Sequence, residues 1–195
     1  MQNFEPNLLY KTDDNWIKTV LNDFDSFLQD HADCERKASS MAMSFVAKCP
    51  DKLEIIPDLI ETALEELVHF KLVYEIMEKR GVGLPKEMEK DPYINELMKH
   101  IRSKGDARLM DRMILASIVE MRGAERFKLV AENLEDPELK KFYTTLYKSE
   151  EKHGDIFLDL ASKYWPFEEI KNRFEELLTI EADICKNLPF RAALH

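Results

Sequence analysis

The chain has 195 residues and a net charge of −10, and it contains only 5 glycines and 8 prolines. Sheet proteins with many tight turns need more of both residue types, so this composition argues against an all-β sandwich or barrel. The acidic balance argues against a protein that coats nucleic acid through bulk charge, but it leaves room for contact at a local patch.

Helical periodicity covers nearly the whole chain, and residues 12–14 supply capping side chains before the first predicted helix. Pro57 is a possible start for the second helix, and Gly81 ends it. Residues 81–92 are predicted as a loop and the tail after Leu188 as irregular. The predicted helices cover, in chain order, about 14–49, 52–80, 93–103, 106–134, 137–164 and 166–188.

Four of these helices span about 25 residues or more, or about 40 Å at 1.5 Å per residue, which is long enough for a bundle core. The pattern therefore predicts an all-α four-helix bundle. A short extra helix would lie between helices two and three, and an additional helix would follow the bundle. We predict a single domain over 1–195, with the core bundle at about 13–164 and the last helix at about 166–188.

The cysteines and the hydropathy of the sequence indicate the cellular compartment in which the protein works. Cys34, Cys49 and Cys185 are an odd number without a Cys-x-x-Cys pair, so a disulfide framework and a thiolate zinc site are disfavoured. The N-terminal sequence lacks the basic stretch and apolar run of a signal peptide, and no run approaches the roughly 18 apolar residues of a membrane span. We therefore expect a cytoplasmic protein without a membrane partner.

Two Glu-x-x-His motifs lie in the middle of predicted helices, Glu66 to His69 in the helix over about 52–80 and Glu150 to His153 in the helix over about 137–164. At a three-residue step, both side chains of a motif lie on one helix face. A single such motif in a glutamate-rich chain is better explained as a Glu–His pair on a solvated helix face. A metal site is therefore indicated only if further potential ligands accompany the two motifs.

The two motifs belong to a repeated pattern, because each has a glutamate about 30 residues upstream in the preceding helix, at Glu35 and Glu120. If each helix pair forms an antiparallel hairpin, this separation returns the chain to the same bundle height. An unpaired carboxylate in a bundle core costs several kcal/mol. Four carboxylates and two imidazoles at one level therefore require cations.

Four oxygen and two nitrogen donors suit a pair of iron or manganese ions better than zinc, which usually takes fewer ligands in tetrahedral geometry. We predict Glu66 and Glu150 as bridging ligands. The terminal ligands would then be Glu35, Glu120, His69 and His153.

Weaker candidates surround these positions. His31 lies one helical turn before Glu35, where it would line a pocket or support a ligand, although an ordinary buried histidine is the commoner case. Gly123 and Gly154 indicate either space beside the ligands or tight helix packing. The other pocket or supporting candidates are Ser39, Ser117, Arg122 and Glu125, of which the last two also fit a buried ion-pair set.

One segment of this acidic chain is locally basic, with five cationic and two acidic residues over 99–112. A solvated loop and helix start would explain the charges, and a patch that contacts phosphates is the alternative. The cationic residues are Lys99, Arg102, Lys104, Arg108 and Arg112.

The sequence around the repeated pattern resembles a known family. DHADCERKASSMAMSF around Glu35, ALEELVHFKLVYEIMEKRG around Glu66 and ILASIVEMRGAERFKLVA around Glu120 are similar to the bacterial tRNA-(2-methylthio-isopentenyladenosine) hydroxylases of the MiaE type. LLYKTDDNWI, near the N-terminus, and EDPELKKFYTTLYKSEEKHGDIFLDLA, around His153, extend the resemblance over most of 8–165. The family's six iron ligands fall on the six predicted residues.

The resemblance implies a ferritin-like di-iron fold, two iron ions and dioxygen as co-substrate. It also implies the reaction, hydroxylation of the isopentenyl group on a modified adenosine beside the tRNA anticodon. The partners would be tRNA, with the basic segment as its contact, and a separate reductase, because the chain has no flavin or nicotinamide motif. The last helix would turn an acidic face away from the tRNA, formed by Glu168, Glu169, Glu175, Glu176, Glu181 and Asp183.

Two alternatives belong to other functional classes. A ferroxidase or iron-handling protein of the bacterioferritin or rubrerythrin type shares the ligand pattern. The extra segment between His69 and Glu120 and the extra C-terminal helix disfavour a cage, and the sequence lacks the Cys-rich module usual in rubrerythrins. We therefore expect a monomer or a dimer. A non-enzymatic helical bundle is the second alternative, and it would carry no metal.

Overall fold

The structure, a computed structural model, describes residues 6–87 and 90–195. Within these ranges the chain forms seven α-helices and no strand, so the predicted all-α class is confirmed. In the described part of the chain, no helix is both long and apolar enough to cross a membrane. The helices are α1 (Asp14–Asn22), α2 (Phe24–Lys48), α3 (Ile56–Arg80), α4 (Pro92–Met98), α5 (Gly105–Asn133), α6 (Pro137–Ser162) and α7 (Phe167–Asn187).

The single first helix predicted over 14–49 is wrong, because the chain breaks at Asp23. This residue has φ −139° and ψ 61°, which is not helical, and its carboxylate accepts a hydrogen bond from the Ser26 backbone N–H. Asp23 therefore caps a new helix, as aspartate commonly does. The loss of helical backbone at one residue separates α1 from α2.

The other boundaries lie within two residues of prediction, except that the second helix starts at Ile56 and not at about 52, close to the alternative start at Pro57, and that the short helix ends early. The second predicted helix starts with Pro57 in its first turn and ends at Gly81, whose φ of 70° is the left-handed conformation that glycine adopts freely. The short helix ends at Met98 instead of continuing to 103. One reason is that the backbone N–H of Arg102 donates to the Asp111 carboxylate at 2.7 Å, so it is not available to a helical carbonyl. The predicted loop over 81–92 includes residues 88 and 89, which lie outside the described residues.

Contacts divide the chain into two compact units. One consists of Lys18–Glu89 and Arg191–Leu194, and α2 and α3 pack in it as a hairpin. The other consists of Met1–Ile17, Lys90–Phe190 and His195, and it contains the α5–α6 hairpin. In this second unit α7 packs on α5 and also contacts α4 and α6. The predicted single domain stays a prediction.

The predicted acidic face of the last helix is partly wrong, because Glu181 is completely buried. It lies on the same side of α7 as the buried residues Leu177, Leu178 and Cys185, at helical spacings of three and four. A carboxylate in this position needs partners, and α5 supplies the main one, as described below. The other five acids lie outside the buried set of α7.

Candidate metal centre

The α2–α3 hairpin holds three of the predicted ligands in its interior. Glu35 lies on α2, and Glu66 and His69 lie on the buried side of α3. The Nδ1 atom of His69 is 3.5 Å from Glu66 Oε2 and 3.8 Å from Glu35 Oε2. Three donor atoms therefore converge within the spacing expected around one metal ion, whose bonds to nitrogen and oxygen are about 2.0–2.2 Å long.

His31 supports this set through Glu35. Its Nε2 atom lies 2.6 Å from Glu35 Oε1, and the imidazole is fully buried. The second carboxylate oxygen of Glu35 is the one that faces His69. The contact fixes the orientation of a predicted ligand, as outer partners of metal ligands commonly do. The structure therefore places His31 in contact with the predicted ligand set.

The α5–α6 hairpin holds the other three predicted ligands. Glu120 on α5 and Glu150 and His153 on α6 are buried, and His153 Nδ1 lies 2.9 Å from Glu150 Oε2. The helices approach closely at Gly154, where an added Cβ would lie 3.2 Å from the Met121 side chain. At this glycine, tight helix packing is the explanation that the structure supports.

The donor sets fit iron in burial and in chemistry. All six side chains belong to residues between 0% and 9% exposed, and within each hairpin the Glu-x-x-His pair presents ligand atoms within 4.8 Å of one another. Two carboxylates and one imidazole per hairpin form the oxygen-rich set that suits iron or manganese. Carboxylates buried to this degree need positive charge nearby, and a metal cation would provide it.

The small residues near the ligands differ in what they contact. Ser39 donates its hydroxyl to the Ala63 carbonyl at 2.8 Å, which ties α2 to α3. Ser117 is fully buried, and its hydroxyl has no hydrogen-bond partner among the described residues. Gly123 is buried, and an added Cβ there would meet nothing within 4 Å. Room therefore exists beside α5, one turn after Glu120.

Arg122 and Glu125 belong to a buried ion-pair network that includes Glu181 of α7. Arg122 is fully buried and donates from Nε to Glu181 Oε1 at 2.8 Å and from Nη1 to Glu125 Oε2 at 2.6 Å. Burial opposes the charge of Arg122, but hydrogen bonds to Glu181 and its negative charge raise the pKa of the guanidinium above its ordinary value. Arg122 and Glu125 therefore form the buried ion-pair set that the sequence offered as one of two interpretations.

One carboxylate oxygen of Glu181, Oε1, accepts three hydrogen bonds. Besides Arg122, Oε1 accepts from the Tyr93 hydroxyl at 3.1 Å and from the Cys185 thiol at 3.0 Å. Burial first, and then the charge of Glu181, raise the pKa of Cys185 to about 12, so the thiol stays protonated and donates. The pairing of Arg122 with Glu181 was not predicted from the sequence. The only available signal was the position of Glu181 among apolar residues at helical spacing.

Several cationic side chains of the basic segment 99–112 form ion pairs or hydrogen bonds within the protein. Arg102 donates from Nη2 to Asp111 Oδ1 at 2.6 Å, Arg173 donates from Nη2 to Oδ2 at 2.9 Å, and Asp111 is fully buried. Lys99 pairs with Glu96, and Arg108 donates to the Arg102 carbonyl. Arg112 is half-buried, and Lys104 is exposed.

Asp111→Asn is expected to lower the free energy of unfolding by about 3 kcal/mol at pH 7, because it leaves two arginines facing a neutral group. Burial raises the pKa of Asp111, but the hydrogen bonds from Arg173 and Arg102 outweigh burial and lower it below its ordinary value of 3.8. The stabilisation is therefore present above about pH 4 and is lost as the pH falls through the lower folded pKa.

Urea unfolding of wild type and Asp111→Asn between pH 7 and pH 3 measures this effect. The difference between the two proteins should stay constant down to about pH 5 and then shrink. Asp155→Asn, at an exposed site on α6, should show no such dependence. A difference that grows on acidification contradicts the assignment.

Comparison with known proteins places this arrangement in a family. The family described as tRNA-(MS[2]IO[6]A)-hydroxylase (MiaE) matches residues 1–195, the whole chain. The chain belongs to the MiaE family. The family predicted from the sequence is therefore confirmed, and a tRNA hydroxylase is favoured over the ferroxidase alternative.

Two bacterial relatives carry a name that agrees with the MiaE match. A Pseudomonas putida (strain KT2440) protein is 34% identical over 176 residues, which cover 90% of this chain and 85% of that protein. A Salmonella typhimurium (strain LT2) protein is 31% identical over 131 residues, which cover 67% of this chain and 47% of that protein. Both are named tRNA 2-(methylsulfanyl)-N(6)-isopentenyladenosine(37) hydroxylase.

A solved structure supports the fold class of this MiaE member. Protein 43 from Synechococcus, described as having aldehyde deformylating oxygenase activity, matches with a TM-score of 0.92 and 29% identity. The match covers 98% of this chain and 96% of that chain. It confirms the predicted ferritin-like di-iron fold class.

Proposed function

We propose that this chain hydroxylates the isopentenyl group of a 2-methylthio-isopentenyladenosine next to the tRNA anticodon, using two iron ions and dioxygen. One observation carries the proposal. The chain matches the MiaE family along its whole length and buries a Glu…Glu-x-x-His set in each of two helical hairpins. The iron ligands in this proposal are Glu35, Glu66, His69, Glu120, Glu150 and His153.

In this proposal the protein's own side chains bind the iron ions and hold the ligands in their orientation. Glu66 and Glu150 would hold the iron ions together with the other four ligands, and the contact between His31 and Glu35 would keep the Glu35 carboxylate in place. Burial keeps bulk water from the ligands, and an added Cβ at Gly123, one turn after Glu120, would meet no atom within 4 Å. Bound iron supplies the activation of dioxygen that hydroxylation of a C–H bond requires. Electrons come from a separate reductase, and the enzyme acts in the cytoplasm.

The tRNA contact in this proposal is the basic segment 99–112. Arg102 is occupied by Asp111, so its contribution to phosphate binding is expected to be small. Lys104 is exposed and stands directly before α5, where an extended side chain can reach a phosphate. Phosphate contacts of this kind set orientation without reading sequence.

Lys104→Glu is expected to weaken tRNA binding and to reduce the salt dependence of the binding constant by about one charge in its log–log slope. Filter binding or fluorescence anisotropy over a range of salt concentrations measures both quantities. Lys128→Glu is the matched control, because Lys128 is an equally exposed lysine that lies within α5, about 36 Å along the helix axis from Lys104. Equal losses for both variants would show that only total charge matters and would remove the patch from the proposal.

Mass spectrometry of tRNA nucleosides tests the function itself. Deleting the gene should remove the hydroxylated nucleoside and leave its 2-methylthio-isopentenyl precursor in place, and restoring the gene should reverse the change. Total tRNA from a host that makes the precursor is the required sample. An unchanged nucleoside profile in that host refutes the proposed reaction.

A further inference from the structure

Ser117 on α5 is fully buried, yet its hydroxyl forms no hydrogen bond with any described residue. Serine and threonine hydroxyls in helices commonly donate to a carbonyl three or four residues earlier. Seven described hydroxyls do so, those of Ser40, Ser44, Thr62, Thr144, Thr145, Ser162 and Thr179. A buried polar atom without such a bond calls for another partner, such as a group that joins the site when a ligand is bound.

Ser117 lies one helical turn before the predicted ligand Glu120. Residues three apart share a face of a helix, and a long side chain leans back over the turn that precedes its own Cα. The carboxylate of Glu120 is therefore expected to extend over the turn that carries Ser117. Both residues are buried on α5.

The facing helix α6 also brings a predicted ligand close to Ser117. The backbone carbonyl oxygen of Ser117 lies 3.5 Å from the position that a Cβ at Gly154 would occupy. Gly154 directly follows His153 in the sequence. The two helices thus approach closely at Ser117, with Glu120 one turn away on α5 and His153 adjacent to the contact on α6.

The α2–α3 hairpin shows what a buried polar residue can do one turn before a ligand glutamate. His31 lies four residues before Glu35, and its Nε2 atom is 2.6 Å from Glu35 Oε1. The repeated Glu…Glu-x-x-His pattern makes Glu120 the counterpart of Glu35. Four residues before Glu120 stands Ala116, which has no side-chain donor, and three residues before it stands Ser117. Each pattern therefore has a fully buried polar residue one turn before its first glutamate.

We propose that Ser117 is a positioning residue of the metal centre, whose hydroxyl donates a hydrogen bond to the Glu120 carboxylate when iron is bound. This inference rests on the proposed function, because it takes Glu120 as an iron ligand. A carboxylate has two oxygens, so one can accept from Ser117 while the other serves the metal. The neutral hydroxyl leaves the negative charge of Glu120 available to the metal.

Removal of the hydroxyl should weaken metal binding without harming the metal-free protein. Ser117→Ala should raise the dissociation constant for Fe²⁺ about tenfold or more, as loss of an outer partner of a metal ligand commonly does. The melting temperature of the metal-free variant should equal or exceed that of wild type, because no hydrogen bond seen in the structure is lost. Calorimetric titration with Fe²⁺ under exclusion of oxygen, and thermal melts without metal, measure the two effects.

Ser117→Thr tests whether the hydroxyl itself is responsible. It keeps the donor and should bind Fe²⁺ as wild type does, even if its extra methyl group lowers the melting temperature. Circular dichroism should show both Ser117 variants folded.

Thr62 provides the matched control in the other hairpin. It is 3% exposed and lies four residues before the predicted ligand Glu66. Its hydroxyl already donates to the Asp58 carbonyl at 2.9 Å. Thr62→Val should therefore lower the melting temperature of the metal-free protein and leave the Fe²⁺ dissociation constant unchanged, which is the reverse of the result expected for Ser117→Ala.

Two results overturn the inference. The first is a Ser117→Ala variant that binds Fe²⁺ as tightly as wild type. The second is a metal-free Ser117→Ala variant that loses as much thermal stability as Thr62→Val, because the hydroxyl then has a structural partner without iron.

The same experiments separate this inference from the proposed function. A wild type that binds no Fe²⁺ removes the metal centre and overturns both. A wild type that binds Fe²⁺ and a Ser117→Ala variant that binds it equally well overturn the role of Ser117 alone. If Ser117→Ala weakens Fe²⁺ binding but the nucleoside profile shows no hydroxylation, only the proposed reaction is refuted.

Discussion

Glu150→Ala is expected to abolish tRNA hydroxylation and to lower the iron content from two ions to at most one per chain. Glu150 is almost completely buried, and its carboxylate lies 2.9 Å from His153 Nδ1. In the proposed centre Glu150 would hold iron, so its removal would take away a ligand and leave His153 without its oriented neighbour. Elemental analysis of purified protein and nucleoside mass spectrometry after complementation measure the two effects.

The chain provides a matched control for this experiment at the next residue. Glu151 has the same side chain on the same helix but points to solvent. Glu151→Ala should therefore keep full iron content and activity. Glu66 and the exposed Glu65 form the same kind of pair on α3, which allows an independent repeat. If Glu150→Ala retains two ions per chain, Glu150 is not a ligand and the proposed centre is wrong.

Arg122→Ala is expected to lower the free energy of unfolding by about 3–5 kcal/mol, because it leaves the fully buried Glu181 without its cation. The hydroxyl of Tyr93 and the thiol of Cys185 still donate to Glu181, but they carry no positive charge. Arg122 also donates from Nη2 to the Tyr10 carbonyl, so the variant loses a bond to the N-terminal segment as well. Urea unfolding at pH 7 measures the loss.

An exposed ion pair supplies the control for Arg122. Arg80 lies 2.8 Å from Asp25, with both side chains partly in water, and Arg80→Ala should cost no more than about 1 kcal/mol. The double variant Arg122→Met/Glu181→Leu removes both buried charges together and should recover much of the stability lost by Arg122→Ala. A loss below about 1 kcal/mol for Arg122→Ala would show that water reaches Glu181.

The sequence was sufficient for the fold class and for the burial of the candidate ligands. Helical periodicity, the first-turn proline Pro57 and the caps at Gly81 and Asp136 placed most helix ends within one or two residues. The repeated Glu…Glu-x-x-His spacing identified four glutamates and two histidines that the structure buries inside helical hairpins. Local rules succeed here because side-chain direction along a helix depends on sequence spacing alone. The assignment of these six residues as iron ligands stays a prediction.

The sequence was insufficient where the outcome depends on distant contacts or on one backbone residue. Val20, Phe24 and Phe27 keep helical spacing across the break at Asp23, so apolar periodicity does not reveal it. The Arg122–Glu181 pair joins helices far apart in the sequence.

The end of the chain shows the same limit. His195 has no motif around it, yet its ring stacks on Tyr93 at 5.0 Å and its Nδ1 lies 3.5 Å from Asp91. These contacts follow from the tertiary fold and not from local pattern.

The discontinuous composition of the second unit has a consequence for how the chain folds during synthesis. Thr12 Oγ1 bonds to Glu125 Oε2 across 113 positions, and Arg122 reaches Glu181 across a further 59. The ribosome must therefore release the chain at least through Glu181 before this buried network can close. The α2–α3 hairpin, whose contacts are local, can form first. Until α7 emerges, Arg122 has no carboxylate from that helix, and the side of α5 that α7 later covers is open to contacts with other chains.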